Sequence, residues 1–243
     1  MKRIVFPFLG IIMLVFSGCI DPGNGDNISS FSYVPAIVDE FDFTTSYPAL
    51  FTSLGKVSAP ELYRDLSSGK LYDGAAVLAN FSINYDQQPS TEYTLVSDVE
   101  LSPVINQTSA YSNSGGGSVS GNFNGKIVKI SGHDLVFCDN YKAVIFIAFI
   151  HEAPEDQEFI YEMTYDAYEN TDILYIRAKN DGQGTKTSST FPYLYVFDIS
   201  DYLTTLRGGE KKVTFNLKYK MDVDNEGRDI YGEYENPIEI LYE

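Results

Sequence analysis

Only two histidines, His133 and His151, and two cysteines, Cys19 and Cys138, stand in this 243-residue chain, so few side chains can act as base or nucleophile near neutral pH. Nucleophilic catalysis needs a hydroxyl or thiol with a base held beside it. Closeness of His133 to Cys138 along the chain is no sign of such a pair, and both histidines read as surface or strand-end residues. Cys138 closes the apolar run Asp134-Leu135-Val136-Phe137-Cys138 and reads as a buried, inert thiol. No Gly-x-Ser-x-Gly, His-Glu-x-x-His or phosphate-loop pattern occurs. Two histidines and one remaining cysteine do not make a structural zinc site. No catalytic, cofactor-binding or metal-binding residue is assigned, and no cofactor is expected.

Two further constellations could carry chemistry. Asp222, Asp224, Glu226 and Gly227 followed by Glu233 have the spacing of a calcium loop, with alternate carboxylates and a glycine for the sharp turn. Such a loop needs a helix ahead of it, whereas Val213 to Met221 alternates at the period of a strand, so the expectation is an acidic hairpin turn over Asp224-Asn225-Glu226-Gly227. Tyr161, Tyr165, Tyr168, Tyr193 and Tyr195 could stack on a sugar, but most sit at alternating strand positions where packing is the ordinary use. A glycosidase pair can be nominated anywhere among 34 acidic residues, which empties that argument.

Cys19 carries the plainest message. Lys2 and Arg3 precede an apolar run, Ile4 to Phe16, and then Ser17-Gly18-Cys19, the order of an export signal over residues 1–18. That run is about 13 residues, short of the roughly 20 a spanning helix needs. Phe16-Ser17-Gly18-Cys19 resembles the lipobox cut by the lipoprotein signal peptidase, with Phe where Leu is usual, so Cys19 is the expected lipid attachment and the membrane the expected partner. Several acyl chains on one residue hold a protein stably on a bilayer, at about 0.8 kcal/mol per buried methylene. Residues 19–32, rich in Gly, Asn, Asp and Ser, read as a tether. Ile20 leaves no Asp of the kind that resembles an inner-membrane retention signal, which favours the outer membrane and leaves the face open.

Cleavage ahead of Cys19 leaves 15 of the 17 basic residues against 34 acidic ones, a net charge of −19. A body so charged repels nucleic acid and anionic head groups, so no nucleic-acid partner is expected. With lipid on Cys19, Cys138 has no disulfide partner.

The elements that hold these residues are strands. Ser112 to Gly121 (SNSGGGSVSG) has the makeup of a linker and separates a first domain at 33–111 from a second at 122–243. In the first, Ala49-Thr52 and Lys56-Ser58 flank a turn, Pro60 to Leu66 forms a short helix, and Val77 to Tyr85 makes a hairpin with Tyr93 to Val99, a small barrel of four or five strands. In the second, Lys126 to Ile130 opens, and the unbroken apolar run Ala143 to Ile150 is a central strand buried on both faces. Alternation then recurs at Phe159/Tyr161/Met163/Tyr165, Ile173/Tyr175/Arg177, Tyr193/Tyr195/Phe197/Ile199, Val213 to Met221 and Ile238/Ile240/Tyr242. A helical turn over Asp198 to Leu203 is capped by Ser200. The whole reads as all-β, a small barrel followed by a β-sandwich.

Tyr33-Val34-Pro35-Ala36, Thr52-Ser53-Leu54-Gly55-Lys56-Val57-Ser58-Ala59-Pro60-Glu61-Leu62 and Phe81-Ser82-Ile83-Asn84-Tyr85-Asp86-Gln87-Gln88-Pro89-Ser90, behind the lipobox and acidic tether, resemble the NigD-like lipoproteins of Bacteroidota. The resemblance implies an N-terminal OB-like barrel with a C-terminal β-sandwich, brings no catalytic residues, and carries an association with bacteriocin immunity. It and the residues together lead to a non-enzymatic envelope lipoprotein binding a protein or envelope component. A glycan-binding accessory lipoprotein and a structural or adhesive surface subunit are the alternatives.

Overall fold

The computed structural model describes residues 27–39, 47–62, 67, 71–88, 94–104, 107–113, 123–138, 142–154, 156–182, 184–185, 187–208 and 210–241. The export signal, Cys19, most of the Gly/Ser stretch, Tyr93 and Tyr242 lie outside them. The chain divides into two compact units, 7–105 with 134–141, and 106–133 with 142–243.

The first unit is one curled six-stranded sheet. Its strands are β1 (Ile28–Asp39), β2 (Ala49–Thr52), β3 (Gly55–Ser58), β4 (Ala76–Asn84), β5 (Thr94–Leu95) and β6 (Ser97–Pro103), in the order β5-β3-β2-β1-β4-β6. β1 starts at Ile28, inside the stretch whose composition suggests a tether. Phe31 supplies the reason, stacking on Phe81 of β4 with ring centroids 5.4 Å apart. The β2–β3 hairpin forms as its sequence predicts: Thr52 Oγ1 donates to the Gly55 carbonyl (2.7 Å) and accepts from the Leu54 N–H (3.1 Å), and Gly55 takes a φ of 111°. β4 pairs with β6, and a 3-10 turn at Tyr85–Gln87 stands between them.

Curling has two visible causes. Register shifts at Phe31/Val34 in β1 and near Asn80/Ser82 in β4 put bulges on both flanks of β4. Tyr33 sits in one at φ 57°, its N–H held by Asn80 Oδ1 at 2.8 Å. Small residues Ala36, Ala59, Ala75 and Ala79 are interspersed with Val38, Leu50, Val57 and Val77 in the core, leaving room for the strands to close on one another. The short helix expected from Pro60 is a 3-10 turn, Pro60–Leu62, and residues 63–66 are outside the described set. Glu61 in that turn accepts the Val99 N–H of edge strand β6 at 3.2 Å, occupying a donor that a stray strand could use.

The second unit is a two-sheet sandwich. One sheet orders as β7 (Gln107–Ser109), β13 (Ser188–Asp198), β10 (Lys142–Pro154) and β9 (Lys129–Cys138), of which residues 134–138 are counted in the first unit. The other orders as β15 (Asp229–Glu233), β14 (Lys212–Val223), β12 (Ile173–Asp181), β11 (Glu158–Tyr165) and β8 (Tyr111–Ser112), with β16 (Ile238–Leu241) also on β14. β7 precedes the Gly/Ser stretch and β8 ends on its first residue, yet both pair here, β7 with β13 and β8 with β11, so the chain enters this unit ahead of residue 111. Residues 107–112 thereby stitch the two sheets.

Strand β10 is buried from Ala143 to Phe149, as its unbroken apolar run requires. Rings fill the space between the sheets: Phe149 stacks on Tyr161 at 4.6 Å, and Tyr161 lies 4.7 Å from Tyr195. In β12 the alternation is as expected, and of its two sets Leu174, Ile176 and Ala178 face the core, with Ile173, Tyr175 and Arg177 on the other side. In β14, Val213, Phe215, Leu217 and Tyr219 point inward, and a register shift between Lys220 and Asp222 then breaks the period and leaves Met221 exposed. β9 begins at Lys129, later than expected, and runs on to Cys138. Helix α1 (Ser200–Arg207) stops at Gly208 in the left-handed region, φ 49°. Ser200 does not cap it. Its hydroxyl donates to Asp198 Oδ1 and accepts the Ala143 N–H at 3.0 Å, tying the helix start to β10.

Candidate functional site

On the face of the second sheet away from the ring-filled core, a row of polar side chains crosses four strands. Pairing sets Glu162 of β11 opposite Arg177 of β12, and Lys220 of β14 opposite Tyr231 of β15. The Arg177 guanidinium forms ion pairs with the Glu162 carboxylate and, at 3.7 Å, with Asp229, while Lys220 Nζ lies 2.6 Å from the other Asp229 oxygen. Phe123 covers the guanidinium, its ring centroid 4.7 Å away. Arg177 and Glu162 keep only 14% and 9% of their side-chain surface, so the pair is largely withdrawn from water.

Two phenols close the row. The Tyr111 hydroxyl donates to the second Glu162 oxygen, and Tyr231 donates to Asp229 at 3.3 Å. Burial, reinforced by the neighbouring carboxylates, pushes both phenols up to about 12, so both are hydrogen-bond donors throughout the physiological range. Two cations and two carboxylates balance, and what results is a fixed cross-strand ladder. Exposed Ile160 and Lys179, two residues from Glu162 and Arg177 on their strands, flank it on the same face.

The residues singled out from sequence fall elsewhere. His151 is not a strand-end residue: it is fully buried, with Nδ1 2.8 Å from the Lys126 carbonyl and Nε2 2.5 Å from the Tyr161 hydroxyl. A neutral imidazole with Nδ1–H donating and Nε2 accepting fits both partners. Burial lowers its pKa to about 4. His133 stands edge-on to Tyr234, 3.3 Å from its hydroxyl, and burial lowers its pKa too. Both imidazoles are thus spent on structural bonds. Cys138 is half-buried, more open than expected for an inert core thiol.

The acidic turn is a turn. Asp224 Oδ1 accepts the N–H groups of Glu226 and Arg228, its Oδ2 takes the Arg228 guanidinium at 2.7 Å, and Asp222 is held by Lys126 at 2.6 Å. Of the five tyrosines, Tyr161, Tyr165 and Tyr195 are buried in packing, Tyr193 is half-buried, and Tyr168 alone of the five is exposed, at 81%. Among the described residues no group of three His, Cys, Asp or Glu side chains is placed to hold a metal ion, and no helix is long and apolar enough to cross a membrane.

The charged row escapes sequence reading because it is assembled from four strands. The adjoining opposite charges of Lys220 and Asp229, nine residues apart across a turn, were the available signal.

No protein-family model matches the chain, and no curated protein matches it. Solved structures do. An uncharacterized protein from Parabacteroides merdae is similar over 88% of this chain and 99% of its own, at 19% identity and a TM-score of 0.66. A putative toxin-related protein from Parabacteroides distasonis is similar over 88% and 94%, at 15% identity and a TM-score of 0.52. A NigD-like immunity protein from Bacteroides caccae aligns over 86% and 97%, at 11% identity and a TM-score of 0.45. At these identities the likeness is one of fold. The first of them spans both units of this chain.

Proposed function

We propose that this chain is a non-enzymatic lipoprotein of the cell envelope, anchored through lipid on Cys19, whose β-body binds a protein or another envelope component. The observation that carries the reading is the order Lys2-Arg3, apolar 4–16, Ser17-Gly18-Cys19 ahead of an all-β body. Ile20 after the cysteine favours the outer membrane. The non-enzymatic part is supported by the histidines, the side chains best suited to proton transfer at neutral pH, which are both committed to structural bonds. The resemblance to NigD-like lipoproteins adds an association with bacteriocin immunity.

The surface offered for binding is the face bearing the Glu162–Arg177–Lys220–Asp229 row. Its central charges pair with one another, and exposed Ile160 and Lys179 stand beside them as an apolar and a cationic contact point. Packing of Tyr161, Tyr165 and Tyr195 in the core weakens the glycan-binding alternative. A fatty-acid probe fed to a Bacteroidota host expressing the full chain tests the anchor: label must appear on the wild type and vanish in Cys19→Ser. A photo-crosslinking residue at Ile160 or Lys179 in the same cells tests the face, and no adduct from either position would count against binding there.

A further inference from the structure

Beyond any binding role, one segment of the second unit is tied to both of its sheets and to a buried histidine. Residues 123–128 cross between the two sheets and bond to both. The Gly125 N–H donates to the Ala178 carbonyl of β12 at 2.9 Å, and the Ile127 N–H to Lys220 of β14 at 3.3 Å. The Val128 N–H donates to Ile150 of β10 at 2.8 Å. Gly125 lies so close to β12 that a Cβ there would meet the Ala178 carbonyl carbon and oxygen at 3.0 Å. From inside the sandwich, His151 Nδ1 holds the Lys126 carbonyl.

We propose that residues 123–128 form an acid-released strap, held closed by the neutral His151 ring and freed when that ring takes a second proton. The reason lies in what surrounds the ring. Phe159 stacks on it at 3.9 Å, and Phe149, Tyr161 and Tyr193 pack at its edges. The titratable groups facing it are the phenols of Tyr161 from β11 and Tyr193 from β13. From the strap comes Lys126, whose ammonium is turned away to Asp222. On its own strand the next residue, Glu152, is exposed. Among the described residues no carboxylate touches the ring, so an imidazolium there would have no counter-ion, and its new Nε2–H would force the Tyr161 hydroxyl to turn from donor to acceptor. Opening the strap gives the charged ring water.

Burial holds the His151 pKa at about 4 with the strap closed, outweighing the bond to the Lys126 carbonyl, which favours the charged ring; against the 6.5 of a solvated histidine, closure has its full strength above pH 6.5 and weakens as pH falls toward 4. With those two values, opening is about twenty-fold more favourable at pH 5 than at pH 7. The Lys126–Asp222 tie persists over that range, since the bond from Lys126 and the Val223 N–H hold the Asp222 carboxyl below its ordinary value. Asp134 acts in the opposite direction: burial raises it to about 6, so the folded chain gains a proton there as pH falls from 6 to 3.8. Global melting therefore mixes the two effects, and the strap must be read locally.

Hydrogen exchange of the full chain in detergent, corrected for intrinsic rates, does this at pH 7 and pH 5. Peptides spanning 123–128 are expected to lose protection about twenty-fold while peptides from 143–149 keep theirs, and His151→Asn, which offers a non-titrating donor to the Lys126 carbonyl, is expected to remove the pH dependence. Flat strap protection in the wild type, equal loss in strap and β10, or the same loss in His151→Asn each overturns the proposal. Should His151→Asn not fold, the wild-type ring resonances decide: His151 must titrate in step with strap exchange, and a ring charged while the strap stays protected refutes it.

Discussion

Replacing Arg177 by Met is the sharpest probe of the charged row. Met keeps the unbranched stem and its packing under Phe123 but removes the guanidinium, leaving Glu162, 9% exposed, with only the Tyr111 hydroxyl as partner. Breaking a buried ion pair by removing one member costs about 3 to 5 kcal/mol, and the residual exposure together with the Tyr111 bond places this case near 3 kcal/mol. Loss of the cation–π attraction to Phe123 adds about 0.5 to 1 kcal/mol. The double change Arg177→Met with Glu162→Leu removes the stranded carboxylate. It is expected to recover all but about 1 kcal/mol, because Tyr111 is 39% exposed and can turn to water. Urea unfolding followed by the near-ultraviolet tyrosine signal reads the four corners of this cycle. A cost below about 1 kcal/mol for Arg177→Met, or a double variant as unstable as the sum of the singles, would refute the claim that the row is a buried, mutually satisfied unit.

Other consequences are as direct. Alkaline spectrophotometric titration should show Tyr111 and Tyr231 ionising late: with folded values of about 12 against an ordinary 10, their contribution to stability is complete below pH 10 and is lost as pH rises to 12. Phenols that all ionise together near pH 10 without unfolding would contradict this. Calcium should leave the thermal midpoint unmoved, because the Asp224 oxygens already hold two N–H groups and the Arg228 guanidinium, and a saturable rise would overturn the turn assignment. Gly125→Ala should cost about 1 to 3 kcal/mol, since its Cβ must push against β12 backbone, and should raise exchange in 123–128 at pH 7. Phe149→Ala, fully buried against Tyr161 and Phe197, should cost about 3 to 5 kcal/mol in chemical denaturation.

Much of the fold is legible in the residues because local period reports burial. The run Ala143 to Phe149 lies between two layers, and its sequence shows this by having no polar interruption. The β2–β3 hairpin is written in Thr52 and Gly55. Phase is harder to read than period: in β12 both alternating sets contain large apolar residues, and only the inter-sheet packing selects Leu174 and Ile176 over Ile173 and Tyr175. Composition misleads at Ile28 to Ser32, where polar residues belong to a strand because Phe31 finds Phe81, 50 positions away. The site is the least legible part. Glu162, Arg177, Lys220 and Asp229 come from four strands, and no local pattern joins them. His151 was hidden for the opposite reason: an imidazole near the end of an apolar run looks like a strand terminus until Lys126 and Tyr161 are seen to satisfy both of its nitrogens.

The proposed place of this chain in the envelope depends on cleavage ahead of Cys19 and on lipid there. Mass spectrometry of the N-terminal peptide from the membrane fraction of a Bacteroidota host tests it most directly. A lipid-anchored chain yields a peptide that begins at Cys19 and bears a diacylglyceryl thioether. A peptide retaining residues 1–18, or one that begins elsewhere with an unmodified Cys19, would contradict it.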